Sequence, residues 1–191
     1  MGAGLKDAKS ALRREIRARL AGLTGPHRAG AAAAACALLR RQPAWQEAKS
    51  ILFYAPLPDE LDVWPLLLDA LAERKEVGLP RFSPAAGAYV ACRVREPERD
   101  VARGHLNIRE PVSTCPTLPL TLDLILVPGV AFDLRGRRLG RGKGFYDQLL
   151  ASARGMTCGV AFDEQIVPEV PVEPHDMHLS CILTPTRWLE L

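Results

Sequence analysis

A stretch rich in glycine and basic residues is the part of the sequence best suited to chemistry. It runs from Gly136 to Asp147 and reads GRRLGRGKGFYD. Glycines let backbone N–H groups approach phosphate oxygens, and a following helix adds positive potential at its first turn. Arg138, Arg141 and Lys143 supply mobile positive charge beside these groups. The pattern predicts a phosphate-binding loop; a flexible basic surface loop or a contact with nucleic-acid phosphates stays an open alternative.

This loop departs from two common nucleotide-binding motifs. A P-loop of the form G-x-x-x-x-G-K-[ST] needs glycine at position 137 and Ser or Thr at position 144, where this chain has Arg137 and Gly144. The dinucleotide-binding pattern G-x-G-x-x-G fails as well, because its third glycine falls on Phe145. The sequence therefore predicts a phosphate site of another kind.

Three further segments carry charged residues, and the residue types alone do not distinguish a structural role from a functional one. Acidic residues of the segment 58–62, PDELD, most often cap a helix, and an Asp after a proline, as in 174–176, most often forms a turn. Lys9 and Arg13 lie four residues apart on one helix face, which is typical of a solvated surface. His175 and His178 lack a plausible set of zinc ligands nearby, so a zinc site is excluded.

Elements that could position these residues follow from hydrophobic periodicity. The pattern predicts helices over 5–20, 25–40 (ended by Pro43), 62–74 (capped by Asp62) and 145–153. Residues 96–120 contain four prolines and predict a long surface connection. Short apolar runs predict strands over 51–54, 76–79, 88–94, 122–127, 158–162 and 179–183.

Strands that alternate with helices indicate an α/β fold. We expect a three-layer α/β/α arrangement with a mostly parallel, Rossmann-like sheet in a single domain over residues 1–191. The near-continuous apolar run 122–127 is typical of a central parallel strand buried on both faces. In such sheets ligands bind beyond the carboxyl ends of the strands, where the charged segments above would converge.

Composition excludes several classes of protein. Hydrophobic residues make up 48% and charged residues 25% of the chain, which is globular rather than disordered. No apolar run reaches the ~18–20 residues of a membrane span, and we expect a cytoplasmic monomer without a secretory signal. A net charge of +3 and 6% aromatic residues fit a small anionic substrate better than nucleic acid. Five cysteines without a C-x-x-C pair indicate reduced thiols.

Taken together, these segments resemble the 5-formyltetrahydrofolate cyclo-ligase family, also called 5,10-methenyltetrahydrofolate synthetases. The resemblance covers nearly the whole chain and is most specific in the block LILVPGVAFDLRGRRLGRGKGFYD over 124–147. It also includes, in order, KSALR at 9–13, PDE at 58–60, LPR at 79–81, IREP at 108–111 and VPVEPHD at 170–176.

The resemblance implies an ATP- and Mg²⁺-dependent cyclisation of 5-formyltetrahydrofolate to 5,10-methenyltetrahydrofolate. It implies that Arg141 and Lys143 act in catalysis, that Leu57, Glu60 and Phe145 contact the folate, and that Asp147 and Asp176 hold Mg²⁺. It implies that ATP is bound by Lys9, Arg13, Arg138, Gly140, Arg141, Gly142, Lys143, Gly144, Phe145 and Tyr146.

The chain departs from the family pattern at three positions. Leu106 stands where an aromatic residue is frequent, Phe145 lacks a common tyrosine hydroxyl, and Ser180 replaces a common Asp, so Ser180 receives no metal role. A sugar-phosphate isomerase or CoA-transferase relative shares this general layout, but leaves the basic loop unexplained. A non-catalytic protein that binds folate or RNA phosphates through the basic loop is the remaining alternative.

Overall fold

The computed structural model describes residues 2–104, 107–173 and 177–191. The helices are α1 (Gly2–Ala21), α2 (Gly25–Arg40), α3 (Pro43–Gln46), α4 (Trp64–Ala72), α5 (Pro97–Asp100) and α6 (Phe145–Ala151). The strands are β1 (Ser50–Leu52), β2 (Glu76–Ser83), β3 (Ala88–Val94), β4 (Val101–Arg103), β5 (Arg109–Pro111), β6 (Thr121–Pro128), β7 (Ala131–Phe132), β8 (Arg138–Leu139), β9 (Arg154–Val160), β10 (Cys181–Leu183) and β11 (Trp188–Glu190).

One seven-stranded sheet organises the molecule, in the order β11-β10-β9-β6-β1-β2-β3. The five strands from β10 to β2 are parallel, and β11 and β3 pair antiparallel at the two edges. The predicted mostly parallel α/β class is confirmed. Because β1, β6 and β9 are parallel neighbours, their carboxyl ends lie together at one edge of the sheet.

The strand β6 shows why this sheet is covered on both faces. Leu124 and Leu126 are fully buried in the cluster that α1 to α4 cover, whereas Ile125 and Val127 are fully buried in the cluster that contains α6. Successive strand residues point to opposite faces, so a run of apolar residues must be packed on both sides. Helical cover is unequal, because α6 contributes only seven residues to its side.

Several elements differ from the sequence prediction for local reasons. Pro43 does not simply end α2; it lies at the first turn of α3, where its missing N–H costs nothing. Asp62 is not the cap of α4, since Val63 holds that position and the Asp62 carboxylate accepts a hydrogen bond from the Trp64 N–H at 2.9 Å. The region 96–120 is not a bare connection: α5, β4 and β5 lie within it.

At the amino end of the central strands, one carboxylate ties β6 to β1. The Asp123 side chain accepts hydrogen bonds from the backbone N–H groups of Lys49 (2.8 Å) and Ser50 (2.9 Å) and from the Ser50 hydroxyl (2.9 Å). These donors, the Lys49 N–H first, hold the pKa of Asp123 below its ordinary value. Across the part of the chain that is described, no helix is both long and apolar enough to cross a membrane.

Candidate functional site

A cleft opens at the carboxyl end of the parallel strands. Tyr54 and Ala55 follow β1 in its wall, and Pro128 and Gly129 close β6 beside them. The cleft encloses about 840 Å³ of space, part of it open to solvent. Ten of the predicted site residues line it: Leu57, Glu60, Arg138, Gly140, Arg141, Lys143, Gly144, Phe145, Tyr146 and Asp147.

The glycine-rich loop reaches the cleft through a short hairpin and two left-handed turns. Strands β7 and β8 pair after β6, with the Val130 N–H donating to the Leu139 carbonyl at 2.7 Å. The chain then turns with φ of +97° at Gly142 and +69° at Gly144 before α6 begins. Side chains rarely tolerate such φ values, so glycine is required at both turns.

Arg138 is a buried cation fixed by its surroundings. Its Nη2 forms an ion pair with Asp147 Oδ1, and its Nη1 donates to the Pro128 carbonyl at 3.3 Å. The guanidinium carbon also lies 6.0 Å from the centre of the Tyr146 ring. Arg138 therefore presents a positive charge whose position is set before any ligand binds.

Arg141 lies between two carboxylates from the segment after β1. Its Nη2 is 2.6 Å from Asp59 Oδ1 and 3.0 Å from Glu60 Oε1, and its Nε also donates to Glu60 Oε1 at 3.0 Å. Burial opposes the charge on Arg141, but the hydrogen bond and charge of Asp59 and the charge of Glu60 outweigh it and raise the pKa. The arginine thus joins the basic loop to the acidic segment.

Glu60 is a carboxylate withdrawn from solvent. Its side chain is 8% exposed, and its Oε2 accepts the Leu57 N–H at 3.0 Å. Burial raises the pKa of Glu60, and the opposing effects of Arg141 and the Leu57 N–H do not cancel it. Tyr146 is also buried. Its burial, and to a smaller extent the charge of Glu60, raise the pKa of Tyr146 well above its ordinary value. A buried, hydrogen-bonding carboxylate of this kind can recognise N–H donors of a ligand.

Lys143 contrasts with both arginines. It is exposed and lines the cleft, and among the described residues it has no hydrogen-bond or ion-pair partner. A compact ammonium on a flexible stem can follow an anion into the cleft without first breaking an internal ion pair. Lys143 is therefore the cation of the loop most available to a ligand.

Helix α1 reaches the loop through Arg13. The Arg13 Nε donates to the Gly140 carbonyl at 2.9 Å, and its guanidinium lies 3.5 Å from the point where a Gly142 side chain would begin. The side chain of Lys9 is only 16% exposed and lies 3.4 Å from Glu173 Oε2. The interpretation of both residues as a solvated face is wrong, because both pack against other segments. Neither lines the cleft wall itself.

An aromatic cluster contributes Tyr89 and Phe145 to the cleft wall. The Phe145 ring centre lies 5.6 Å from that of Phe82 and 5.2 Å from that of Tyr89, all in edge-to-face contact. The buried carboxylate of Glu110 accepts hydrogen bonds from the Tyr89 hydroxyl at 3.2 Å and the Phe82 N–H at 3.1 Å. Sequence patterns missed Tyr89 and Glu110, because only the pairing of β3 with β2 and the packing of β5 against both strands bring these two residues together beside Phe145.

Of the two predicted metal ligands, Asp147 and Asp176, only Asp147 lies among the described residues. Asp147 lines the cleft with its side chain 42% exposed, while Asp176 and Leu106 lie outside the described residues. Within residues 2–104, 107–173 and 177–191, no group of three or more His, Cys, Asp or Glu residues could hold a metal. Ser180 has a structural contact instead, 3.2 Å from the Thr157 hydroxyl.

Comparison with known proteins points to one family. A model of the 5-formyltetrahydrofolate cyclo-ligase family matches residues 5–185. The chain is 29% identical over 191 residues to a mouse 5-formyltetrahydrofolate cyclo-ligase, with 94% of each sequence covered. It is 33% identical over 145 residues to the Escherichia coli K12 protein of the same name, with 73% of this chain and 80% of that one covered.

Solved structures show the same relationship. The NMR structure of Aquifex aeolicus 5,10-methenyltetrahydrofolate synthetase superimposes with a TM-score of 0.86 at 32% identity, covering 96% of this chain and 92% of that one. A synthetase from Mycoplasma pneumoniae superimposes with a TM-score of 0.73 at 20% identity, covering 93% and 98%, and supports the fold alone.

Proposed function

The chain belongs to the 5-formyltetrahydrofolate cyclo-ligase family, and we propose that its cleft converts 5-formyltetrahydrofolate to 5,10-methenyltetrahydrofolate with ATP and Mg²⁺. The observation that carries this proposal is that one cleft holds both the buried carboxylate of Glu60 and the cation Lys143, which has no ion-pair partner in the described part of the chain. The cation suits a polyphosphate, and the carboxylate suits the N–H groups of a pterin ring.

The reaction must remove an oxygen atom that leaves poorly. In the proposed sequence the formyl oxygen attacks the γ-phosphorus of ATP, the bond to the bridging oxygen breaks, and ADP leaves. The neighbouring folate nitrogen then attacks the formyl carbon and gives up its proton, and the carbon–oxygen bond breaks to release phosphate. No protein nucleophile is required, because such transfer depends on positioning and on neutralising charge.

The phosphate end of the cleft would be formed by the glycine-rich loop. Arg138 supplies a fixed charge, and Lys143 is free to move onto the transferred phosphoryl group. The left-handed turns at Gly142 and Gly144 keep the backbone bare of side chains on this side. Arg13 would hold the loop from α1 through its contact with Gly140, and Lys9 lies one helical turn earlier.

The folate end would be formed by Leu57, Glu60 and Phe145. The Glu60 carboxylate lies in a nearly dry position, so a lost partner there costs more than a partner lost in water. This dependence would make Glu60 selective for a ring that offers N–H donors. Phe145, supported by Tyr89 and Phe82, would provide the apolar face against which the ring packs.

Arg141 would respond to both substrates. In the structure its guanidinium satisfies Asp59 and Glu60, and a bound polyphosphate would compete for it. We propose that Arg141 exchanges part of this ion pairing for phosphate contact, which leaves Glu60 oxygens open to the pterin. The positions of the two ligands are thereby coordinated by one side chain.

The residues fit Mg²⁺ that takes most of its oxygens from ATP and water. Such an ion is commonly held by one or two carboxylates together with phosphates, and Asp147 lies exposed in the cleft for this role. Asp147, with Asp176 as the second predicted ligand, would hold the ion, whose charge offsets that of the phosphates. The ion pair with Arg138 fixes the Asp147 carboxylate at the cleft wall.

The direct test is the absorbance of the methenyl product. Purified protein is mixed with 5-formyltetrahydrofolate, Mg²⁺ and ATP, and the expected result is an absorbance rise that requires ATP. A folded protein that binds ATP but gives no rise would contradict the proposed substrate. Protein that binds folate with no ATP effect on melting temperature would instead support a non-catalytic binding role. We further propose that the protein acts as a monomer in the cytoplasm.

A further inference from the structure

A buried carboxylate on β5 joins the two strands that carry most of the aromatic wall. Glu110 is only 5% exposed. Its Oε1 accepts a hydrogen bond from the Tyr89 hydroxyl at 3.2 Å, and its Oε2 accepts one from the Phe82 N–H at 3.1 Å. Within the part of the chain that the structure describes, no cationic side chain forms an ion pair with Glu110. Both donors therefore matter, because the charge they satisfy has been taken out of water.

The Glu110 carboxylate has little freedom to move. Phe82 and Tyr89 are direct partners across β2 and β3, so one group holds both strands at this pair. The point where a Gly104 side chain would begin lies 2.7 Å from Glu110 Oε2, which shows that backbone closes over the carboxylate. Burial, followed by the charge and hydrogen bond of Glu110, raises the pKa of Tyr89 to about 12. The hydroxyl therefore remains a donor to Glu110, and Tyr89 offers its ring to a ligand.

The two anchored rings hold Phe145 where the two ends of the cleft meet. The ring centres of Phe82 and Tyr89 lie 5.8 Å apart, and that of Phe145 packs against both. Phe145 directly follows Gly144, the second left-handed turn of the glycine-rich loop, and it lines the cleft together with Tyr89. In the proposed function the phosphoryl group comes from this loop and the formyl group from the folate. The reacting carbon would therefore lie beside Phe145.

The phosphorylated formyl carbon has two competing fates. Attack by the neighbouring folate nitrogen closes the ring and releases phosphate. Water can attack the same carbon instead: a new carbon–oxygen bond forms, the water gives up two protons, and the bond to the phosphate-bearing oxygen breaks. This second route returns 5-formyltetrahydrofolate and phosphate, so ATP is hydrolysed without product. A closed apolar wall beside the carbon suppresses such hydrolysis by excluding water.

We propose that Glu110 is a positioning residue that holds the Tyr89 and Phe145 rings against the reacting carbon and so keeps water away from it. The inference deepens the proposed function and rests on it. Glu110 acts through other groups, the Tyr89 hydroxyl and the Phe82 backbone, and contacts no reacting atom in this role. Loss of the hydrogen bond to Tyr89 would free the ring pair to move, and hydrolysis would then compete with ring closure.

Turnover in water labelled with ¹⁸O tests the proposal, because it separates the two routes. Water that attacks the phosphorylated carbon leaves ¹⁸O in the formyl group of recovered 5-formyltetrahydrofolate, whereas direct hydrolysis of ATP leaves it in phosphate. Mass spectrometry of the recovered substrate early in the reaction measures the labelled fraction. Wild-type protein is expected to label little. Tyr89→Phe keeps the ring and removes only the hydroxyl, and it should raise the labelled fraction roughly fivefold, the effect of one lost hydrogen bond.

Variants of Glu110 add a graded series with a matched control. Glu110→Ala removes both acceptor oxygens and should label the most. Glu110→Gln keeps one acceptor oxygen and should fall between wild type and Glu110→Ala. Glu98→Gln makes the same change at an exposed glutamate on α5 outside the cleft and should match wild type. Thermal denaturation verifies that each variant is folded, and if Glu110→Ala is not, Tyr89→Phe decides the matter.

An unchanged labelled fraction in Tyr89→Phe would overturn the inference, even if turnover falls. A merely structural role for the hydrogen bond would slow both routes together and leave their ratio as it is in wild type. Failure of the proposed function is distinguishable from this result. In that case wild-type protein would form no methenyl product and would place no ¹⁸O in the formyl group.

Discussion

The two ends of the parallel strands each hold a carboxylate, and the fold shifts the pKa values of these two groups in opposite directions. At the amino end, Asp123 is exposed and receives three hydrogen bonds from Lys49 and Ser50, and its pKa is lowered. At the carboxyl end, Glu60 is buried, and its pKa is raised. The first charge is stabilised by the fold, whereas the second is kept in an unfavourable place by the fold.

This difference separates stability from ligand binding. Asp123 has its donors already in place, so it contributes to the folded state and offers nothing to a ligand. Glu60 also accepts three hydrogen bonds, but two of them come from the Arg141 side chain, and burial still raises its pKa. A ligand that offers N–H donors could replace Arg141 as its partner. The amino edge should therefore govern stability, and the carboxyl edge should govern activity.

The largest effect is expected for Lys143→Ala. It should reduce kcat by roughly 100- to 1000-fold, because a cation that neutralises charge in the transition state is lost. The melting temperature should stay unchanged, since among described residues Lys143 has no partner. Steady-state kinetics and thermal denaturation measure the two. Lys49→Ala, an exposed lysine at the amino edge, is the matched control, and wild-type turnover by Lys143→Ala would remove its assigned role.

Glu60→Ala comes next. It should weaken binding of 5-formyltetrahydrofolate roughly 10- to 100-fold and ATP binding far less, because a buried acceptor for pterin N–H groups is removed. Separate calorimetric titrations with each ligand measure this. Asp59→Asn alters the more exposed carboxylate on Arg141 and should have the smaller effect. Equal losses for both ligands would mean that Glu60 is only a structural partner of Arg141.

Asp147→Asn should produce a moderate change. The Mg²⁺ concentration for half-maximal rate should rise several-fold, on the order of 1 kcal/mol, because one carboxylate ligand is lost. Stability should change by less than about 1 kcal/mol, since the side chain is 42% exposed. A metal titration of the rate is the measurement, and an unshifted curve would exclude Asp147 from the metal site.

The smallest effect is expected for Asp123→Ala, and it should fall on stability instead of activity. It should lower the free energy of unfolding at neutral pH by on the order of 1 kcal/mol and leave kinetics unchanged. A lowered pKa gives stability that is present above the ordinary aspartate value of 3.8 and lost as pH falls through the folded value. Urea denaturation of both proteins across acidic pH should show the difference vanish, and a difference that persists would point to lost packing instead.

The predictable part of the site was the part encoded in consecutive residues. The block 124–147 places glycines, cations and Asp147 in one continuous segment of the chain, so their order in sequence largely sets their neighbours in space. The buried strand β6 was equally clear, since a run such as Leu124 to Val127 can be satisfied only between two layers.

The missed part depends on contacts between distant segments. Arg141 meets Asp59 only after β1 and β6 pair, and no local pattern marks that ion pair. The contact of Tyr89 with Phe145, and the hydrogen bond from Tyr89 to Glu110, also join segments that are distant in sequence. Strand β11 was missed because three edge residues, Trp188–Glu190, are too short for a periodic pattern.

Helix α6 links ligand occupancy to the integrity of the smaller of the two core clusters. Its first turn presents Phe145, Tyr146 and Asp147 to the cleft, while Leu149 and Leu150 close the thinly covered face of the sheet. An empty cleft leaves this cover to seven residues, so that face should open first, with fast amide exchange in β3 and early cleavage by proteases. Substrate would then act as a folding aid, and the cellular abundance of the protein would follow the supply of its ligands.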